Sequence, residues 1–528
     1  MDQKKIINLI VTLLVLPAFF LAGSTPVKAL EIYPIPARYQ ASKTYSLTVL
    51  GLPAPIVNYT DKYDYAHFMM DEEIVDVMLT LQDGDILSYN ISPKKLNVRA
   101  DAKGNTLHFK IAKGQYLIVK INKTKELVIA ADAADVNKPA ISGKGIFNVL
   151  SKPYAADASG NTLTTQSIQQ AINDASQHKN GTVYVPIGIY KVGNIELKSN
   201  INFYLEAGAV LLFSGVAKDY TISARKASQK RDITWWIYTK GGAKNIKLYG
   251  KGTLDGNGKI ATEKGNIGNH ILAIMGAENI EIDGLIIRNS GAWAVIPTRS
   301  KNVVLQNIKL FNRFDMGEND GIDVIESQNV KVKHVIGIAL DDPFSTKTWE
   351  QNTDLCRNWP GKPLAQRNVL FEDCISWTYC YGYKIGQGVM QPQSNITFKD
   401  CVVYDAAVGI GIHHKWGTSH VKHVIFNNID IEKLSYQNDD HRTWAIFFMQ
   451  NGDKKGSGPI SDILVKDVLV RDSGKSPGKI KGVSDTNRIS HLTFRNIQMP
   501  GSKLPAKSLK EMNMTDVAFA VGVKVLDN

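Results

Sequence analysis

Cysteine and long apolar runs are scarce in this 528-residue sequence, and basic residues never form a run of five. The four cysteines all lie between positions 356 and 401 without a CxxC pair, which argues against a cysteine-based zinc site. The scattered Lys and Arg residues match no nucleic-acid-binding motif, so nucleic acid is not an expected partner. We therefore expect neither a metal nor another cofactor.

The single long apolar run stands at the N-terminus and has the layout of a signal peptide. Lys4 and Lys5 precede the run IINLIVTLLVLPAFFLAG, and VKA at 27–29 has the form of a cleavage site. The alternative is a membrane anchor, but the run is shorter than the roughly 20 apolar residues of a membrane-spanning helix and contains Pro17. The sequence predicts a signal peptide over residues 1–29 and a secreted protein, extracellular or periplasmic, with no membrane attachment after cleavage.

The composition is basic, with a formal net charge of +12 and a pI near 9.2. A basic surface suits an acidic partner such as a polyuronate or an anionic cell wall, although solubility alone also explains it. The chain is 44% hydrophobic and too long for one ordinary compact domain.

Three regions follow the signal peptide. Residues 30–136 contain short alternating strands separated by turn residues, which predicts a small N-terminal β-sandwich. Residues 137–150 form a linker. One amphipathic helix with Ile168, Ala171, Ile172 and Ala175 on one face then opens residues 151–528.

Repeated segments dominate the third region. Each carries an Asn followed by a β-branched residue and an alternating strand; these are Asn245, Asn279, Asn302, Asn329, Asn368 and Asn395. Such units bury their apolar side only by stacking, which predicts an all-β fold, a right-handed parallel β-helix, in residues 151–528. Cys374 and Cys401 occupy equivalent positions in adjacent units, as stacked interior thiols or as a disulfide. The long insertions after Asn329 and after His423 are expected to build a binding face.

Three aspartates form the candidate catalytic group. Asp320 in NDGID lies about one coil before the pair Asp341 and Asp342, so all three are expected on one face. Gly321 suggests a sharp bend at Asp320, and Pro343 restricts Asp342 to extended geometry. Crowded carboxyl groups divide into one that keeps a proton and one that stays ionised, as glycosidic cleavage requires.

The segments TTQSIQQAINDA, GTVYVPIGIYKVGNIELKSNINFYLEAGAVL, GKGTLDGNG, NDGID and DD resemble the polygalacturonase superfamily, glycoside hydrolase family 28, over roughly residues 150–500. The resemblance implies a right-handed parallel β-helix that hydrolyses pectic polymers with inversion. It implies that Asp341 is the general acid, while Asp320 and Asp342 position the water. Which of Asp341 and Asp342 is the acid stays open from the residues alone.

The sequence departs from the family at two substrate-reading motifs. The His of Gly-His-Gly falls on Tyr381, and Arg-Ile-Lys, which grips a galacturonate carboxylate, falls on 411–413. We expect other residues to contact the substrate; the candidates are Lys384, Tyr381, His413, His414, Lys415, Trp349 and Trp416. One of the two adjacent histidines should face the substrate and the other should pack. The sandwich and the missing clamp are similar to family 49 dextranases, which act on neutral glucans.

The sequence therefore predicts a secreted, monomeric glycoside hydrolase that acts on a polysaccharide or oligosaccharide, with a pectic substrate favoured. A dextranase-like hydrolase of a neutral glucan is the alternative. A polysaccharide lyase on the same fold and a non-catalytic carbohydrate-binding solenoid are the remaining hypotheses.

Overall fold

The computed structural model describes residues 30–351, 353–436 and 442–526. The predicted signal peptide, residues 1–29, and residues 437–441 of the second long insertion lie outside the described residues. Within the described ranges, no helix combines the length and apolar character that a membrane crossing requires.

Residues 30–133 form a β-sandwich of two mostly antiparallel sheets, with an apolar core between them. The first sheet contains Leu30–Ile32, Gln40–Ala41, Ile56–Asn58, Tyr63–Met70, Tyr89–Ser92, Tyr116–Ile121 and Glu126–Ala133. The second sheet contains Tyr45–Val49, Leu52–Ala54, Ile74–Leu81, Ala100–Lys103 and Thr106–Ala112. Buried and exposed residues alternate along Thr106–Ala112, as expected for a strand with one solvated face.

The rest of the described chain is a right-handed parallel β-helix, which confirms the predicted fold. Its long sheet bends around a corner and contains Ile146–Asn148, Ser159–Leu163, Thr182–Val185, Gly188–Val192, Ile201–Leu205, Ala209–Phe213, Lys244–Gly250, Thr253–Asp255, Glu278–Asp283, Ile286–Arg288, Lys301–Gln306, Lys309–Phe311, Gln328–Ala339, Gln366–Thr378, Gln393–Lys399, Val402–Asp405, Val421–Ile431, Ile460–Val470, Ile489–Gln498, Ala520–Val521 and Lys524–Leu526. The second sheet carries the candidate site and is called the cleft sheet. It contains Ile195–Leu197, Ala224–Lys226, Arg231–Thr239, Ile267–Met275, Val295–Thr298, Ile322–Ile325, Phe344–Thr348, Tyr381–Val389, Val408–Trp416, Thr443–Met449, Lys479–Lys481 and Asp516–Ala518.

Helices are few and short among the described residues. The α-helix Thr165–Ser176 buries Ile168, Ala171, Ile172 and Ala175 against the first coils, as the sequence pattern predicts. Gly258–Glu263 is a second α-helix, and Lys94–Leu96, Ala217–Asp219 and Ala227–Gln229 are 3₁₀ turns.

The repeated asparagines form a ladder along one corner of the β-helix. All six have φ between 54° and 58°, in the left-handed region that Asn tolerates. Each donates its side-chain amide to the Asn of the preceding coil, for example Asn302 to Asn279 at 3.0 Å and Asn329 to Asn302 at 3.0 Å. The same corner in later coils is occupied by His423, Asp462 and His491, also with positive φ, which explains why these copies of the repeat are weaker in sequence.

The interior of the coils is filled by stacked side chains. Phe371, Phe398 and Phe426 stack with ring centroids 4.9 and 5.0 Å apart. Cys374 and Cys401 are buried free thiols, so the interior-thiol interpretation holds and the disulfide does not.

The sandwich packs on the long sheet through a mixed apolar and polar contact. Tyr63, fully buried, donates its hydroxyl to the Asn312 carbonyl oxygen at 2.7 Å. Lys309, also fully buried, forms an ion pair with Asp132 of the sandwich and donates to the Gly284 carbonyl oxygen at 2.7 Å. The sandwich and the β-helix therefore share a buried interface.

Candidate active site

The three predicted aspartates lie together on the outer side of the cleft sheet. Ile322 pairs with Phe344 in adjacent parallel strands, so Asp320 and Asp342 occupy equivalent positions just before those strands. Asp320, Asp341 and Asp342 all line one cavity of about 430 Å³, here called the main cavity. The structure thus brings together the acidic residues that the sequence analysis singled out.

Hydrogen bonds from neighbouring coils hold the turn that carries Asp341. The Asn319 side-chain oxygen accepts from the amides of Leu340 at 3.0 Å and Asp341 at 3.4 Å. The Thr378 hydroxyl donates to the Asp341 carbonyl oxygen at 2.7 Å. The turn is fixed from both sides, which limits the directions available to the Asp341 carboxyl.

Gly321 serves a different purpose from the predicted sharp bend, because it does not adopt a positive φ. A Cβ at this position would lie 2.4 Å from the Pro343 carbonyl oxygen of the next coil. Gly321 is therefore needed for the close approach of the two turns that carry the aspartates.

Asp342 is the ionised member of the adjacent pair. It is 2% exposed, its Oδ2 accepts from Lys384 Nζ at 2.6 Å, and its Oδ1 accepts from the Tyr381 amide at 3.3 Å. Burial opposes ionisation, but the positive charges of Lys384 and Lys347 outweigh it and lower the pKa of Asp342.

Asp341 behaves in the opposite way. Burial, together with the negative charges of Asp320 and Asp342, raises the pKa of Asp341 to about 7. One carboxyl group of the pair therefore keeps its proton near neutral pH while its neighbour stays ionised.

Asp320 shares a buried lysine with a fourth carboxyl group. Lys347 Nζ lies 2.9 Å from Asp320 Oδ2 and 3.0 Å from Asp323 Oδ1. Burial raises the pKa of Asp320 in spite of Lys347, and raises that of Asp323 to about 8. Asp320 Oδ1 is buried and has no protein hydrogen-bond partner. Asp320 thus lines the main cavity and keeps one oxygen atom without a protein hydrogen bond.

Tryptophan rings form one wall of the main cavity. Trp293 and Trp349 meet edge to face with centroids 5.9 Å apart, and Trp349 and Trp416 do the same at 5.6 Å. Lys226 Nζ lies 4.3 Å from the Trp293 ring centroid and 2.7 Å from Glu318. Aromatic faces and a partly buried ammonium group are suited to a sugar ring that carries a carboxylate.

Two insertions meet beside the main cavity and contribute to its lining. The hairpin of Ala224–Lys226 and Arg231–Thr239 approaches the loop after Thr348. The Arg225 amide donates to the Asp354 carbonyl oxygen at 3.2 Å, and the Asn358 side chain donates to the Ser223 carbonyl oxygen at 2.6 Å. The hairpin and loop therefore bridge one end of the cavity.

The other predicted substrate-binding residues fall into two groups. Lys384, Trp349 and Trp416 line the main cavity, whereas Tyr381 and His413 lie beyond it with ring centroids 6.5 Å apart. Burial, followed by the charge of Lys384, lowers the pKa of His413 to about 4. His413 is therefore neutral at pH 7 and does not replace the missing positive charge of the clamp.

Two of the predicted substrate-binding residues lie outside the lining of the main cavity. His414 is 0% exposed and its Nε2 lies 2.8 Å from the Ser419 carbonyl oxygen, so it is the packed imidazole of the histidine pair. Lys415 places its Nζ 4.6 Å above the Trp416 ring and does not line the main cavity. Neither side chain is positioned to contact a substrate there.

Sequence reasoning missed Lys226, Trp293, Asp323 and Lys347. Asp323 and Lys347 lie in the strands Ile322–Ile325 and Phe344–Thr348, which directly follow the predicted aspartates, and this closeness in sequence was the available signal. Lys226 and Trp293 come from coils without a recognisable motif, and only tertiary packing brings them to the cavity.

Asp341, Asp342 and Cys380 offer ligand atoms within 4.8 Å of one another. Burial raises the pKa of Cys380, the pKa of Asp341 is also raised, and the Lys384 ammonium group already occupies Asp342. A protonated thiol, a protonated carboxyl group and an adjacent cation do not suit a metal ion.

The β-helix and the carboxyl cluster are consistent with a glycoside hydrolase. Residues 175–518 match the family described as Glycosyl hydrolases family 28. The chain belongs to this family.

Relatives in sequence and structure agree with this assignment. The exo-poly-alpha-D-galacturonosidase of Dickeya chrysanthemi is 32% identical over 440 residues, which cover 70% of each chain. A probable polygalacturonase of Vitis vinifera is 23% identical over 294 residues, 52% of this chain and 59% of that protein, so the match spans less than two thirds of this relative.

Two solved structures share the fold. The family 28 exopolygalacturonase of Yersinia enterocolitica has a TM-score of 0.57 at 18% identity, covering 86% of this chain and 97% of that one. Dex49A from Penicillium minioluteum has a TM-score of 0.55 at 11% identity, covering 94% and 96%. These likenesses concern the fold alone.

Proposed function

We propose that this protein is a secreted hydrolase that removes terminal galacturonate residues from pectic chains with inversion at the anomeric carbon. The observation that carries the proposal is the adjacent pair with opposite pKa shifts, raised for Asp341 and lowered for Asp342, in one cavity with Asp320. Inverting glycosidases use one carboxyl group as acid and another as base.

In the proposed reaction, Asp341 gives its proton to the glycosidic oxygen as the bond from that oxygen to the anomeric carbon breaks. A water molecule attacks the anomeric carbon from the opposite side, and its proton passes to the carboxylate of Asp320, which lines the same cavity. Asp342, held ionised by Lys384, orients the water and stabilises the positive charge that develops on the sugar. The products are a hemiacetal of inverted configuration and a shortened chain.

The main cavity would hold the galacturonate that is released. Lys347 and Lys384 are already paired with Asp320 and Asp342. We therefore assign Lys226 as the cation that binds the substrate carboxylate, which would replace Glu318 as its ion-pair partner. The bridge between the hairpin and the loop favours a chain end over an internal residue. The predicted signal peptide, residues 1–29, supports export, where such polymers occur.

The test is incubation of the purified protein with homogalacturonan, rhamnogalacturonan, dextran and pullulan, with product release and anomeric configuration followed by NMR. We expect β-galacturonate as the first product from α-linked homogalacturonan. Asp341→Asn and Asp320→Asn should each lower kcat by about 10²–10⁴-fold, the usual contribution of acid–base groups.

Other outcomes contradict the proposal in distinct ways. Release of glucose oligomers from dextran would favour the neutral-glucan alternative. An unsaturated product that absorbs in the ultraviolet would indicate a lyase. If no product forms and wild type does not differ from Asp341→Asn, the non-catalytic carbohydrate-binding solenoid is the hypothesis that remains.

A further inference from the structure

A second cavity of about 250 Å³ borders the aspartates on the side away from the tryptophan wall. We call it the tyrosine pocket, because three of its lining residues are Tyr379, Tyr381 and Tyr436. Tyr379 and Tyr436 stack with centroids 4.5 Å apart at 20°. Leu340, Cys380, Ala407 and Val408 supply most of the remaining lining.

Asp341 is the aspartate that borders both cavities, whereas Asp320 and Asp342 line only the main cavity. A general acid must reach the oxygen that joins the two sugars, and the base must reach water near the anomeric carbon. This placement puts the released sugar in the main cavity. The leaving group then lies in the tyrosine pocket.

The two cavities differ in charge. Among the described residues, Arg225, Lys226, Lys347 and Lys384 line the main cavity, while no Lys, Arg or His lines the tyrosine pocket. Burial raises the pKa of Tyr379 to about 12, and the negative charges of Asp61, Asp405 and Glu126 contribute. Asp405 and Glu126 are paired with Lys433 and Lys120, so the main contrast is the lack of a cationic partner among the described lining residues. Lys384 Nζ lies 4.7 Å from the Tyr381 ring centroid, but it is bound to Asp342.

Tyr381 also fills the place of the family's clamp. The family's Arg falls on Gly411, where a Cβ would lie 2.8 Å from the Tyr381 ring. The ring therefore covers the backbone from which an arginine side chain would extend.

The aromatic surface extends beyond Tyr381. His413 stacks on Phe448 with ring centroids 5.4 Å apart. Tyr381, Tyr436 and Phe448 pack on an apolar cluster of Ala407, Val408 and Ile446. The aromatic surface thus continues along the cleft.

From this geometry, and resting on the proposed function, we infer that the leaving group is a neutral sugar whose apolar face stacks on the tyrosines. The enzyme would cleave the bond between a terminal galacturonate and an uncharged residue, such as a methyl-esterified galacturonate. Stacking on aromatic faces and the absence of a carboxylate clamp both favour an uncharged ring.

The experiment compares two substrates that differ by one charge: digalacturonate, and digalacturonate methyl-esterified only on its reducing residue. We expect kcat/KM to be about tenfold or more higher for the ester, a difference that corresponds to about 1.4 kcal/mol. Tyr436→Phe should keep this ratio, Tyr436→Ala should lower kcat/KM for the ester, and Tyr436→Arg should bring the ratio to one or below. Trp349→Phe, on the other side of Asp341, is the matched control and should affect both substrates equally.

The outcomes separate this inference from the function beneath it. If digalacturonate is cleaved as fast as the ester or faster, and Asp341→Asn is inactive on both substrates, the preference for a neutral leaving group is wrong. The proposed hydrolase function then still holds. The inference is also contradicted if the Tyr436 variants lose cleavage of both substrates at an unchanged melting temperature. It requires these variants to change the ratio of kcat/KM between the ester and the free acid. No cleavage of either substrate by wild type overturns the proposed function itself.

Discussion

Asp341 and Asp342 are neighbours in the chain, yet their surroundings move their pKa values in opposite directions. Asp342 accepts a hydrogen bond from Lys384 at 2.6 Å, whereas Asp341 faces two other aspartates. The sequence predicts the aspartates because two adjacent acids before a proline are conspicuous. It does not predict Lys347, because a lysine five residues later is also consistent with an exposed strand face.

Lys384→Met should move the acidic limb of the pH profile. Removal of the Lys384 charge raises the pKa of Asp342, so ionised Asp342 appears only at higher pH, and the rise of kcat/KM shifts upward. The alkaline limb reports Asp341, whose pKa is about 7, and should fall near that pH in wild type. Lys415→Met is the control and should leave both limbs in place; equal shifts in the two variants would contradict the role of Lys384.

Asp341→Asn should change the dependence of stability on pH. Folded Asp341 keeps its proton up to pH 7, whereas the unfolded carboxyl group loses it near pH 4, so the folded state binds more protons between these values. Its contribution to stability therefore falls as pH rises through this window. Relative to wild type, the variant should gain on the order of 4 kcal/mol between pH 4 and pH 8, as measured by chemical unfolding. Asp101→Asn, on the exposed surface, should show no such gain.

Strands and corners of the β-helix follow from local sequence to a large extent. The repeated Asn marks a corner that requires positive φ, and the alternation after it marks a strand with one interior face. The partners of the long insertions were not predictable, because the contact between Arg225 and Asp354 joins segments more than a hundred residues apart. Insertions are visible in sequence as interruptions, but their packing is a tertiary property.

Asn302 offers a test at the scale of the corner. Asn302→Ala loses the bonds to Asn279 and Asn329 and leaves Ala at φ 54°. Asn tolerates this left-handed geometry, but it costs other residues with a Cβ about 1–2 kcal/mol. Asn302→Gly loses the same bonds without that conformational cost. We expect Ala to destabilise more than Gly by about 1 kcal/mol in unfolding measurements. If Gly destabilised the protein more than Ala, the corner would not require the positive φ that we assign to it.

At the scale of the whole molecule, the interface between the sandwich and the β-helix contains both apolar and polar buried residues. The strand Tyr63–Met70 is buried on nearly its entire length, since one face fills the sandwich core and the other meets the long sheet. The sequence predicts a sandwich from alternation but not its docking face, because a strand buried on both sides shows no alternation.

Lys309→Met tests this interface. The substitution removes one of the two lysines beside buried Asp132. Lys251 Nζ stays 3.3 Å from the same carboxylate, so the expected cost is that of one charge-assisted hydrogen bond, about 1.5–3 kcal/mol. Lys301→Met, at an exposed position in the neighbouring strand, is the matched control and should change the melting temperature little. Similar melting temperatures for both variants would show that the Lys309 pair does not stabilise the interface.

If the protein removes terminal residues as proposed, the bridge between the Arg225 hairpin and the Asp354 loop also has a kinetic consequence. A monosaccharide held behind the scissile bond must depart by the opening through which the polymer entered. The shortened polymer therefore has to leave first, and every turnover begins with a fresh encounter. For the proposed reaction we therefore expect distributive cleavage, slowed by accumulated free sugar that occupies the main cavity.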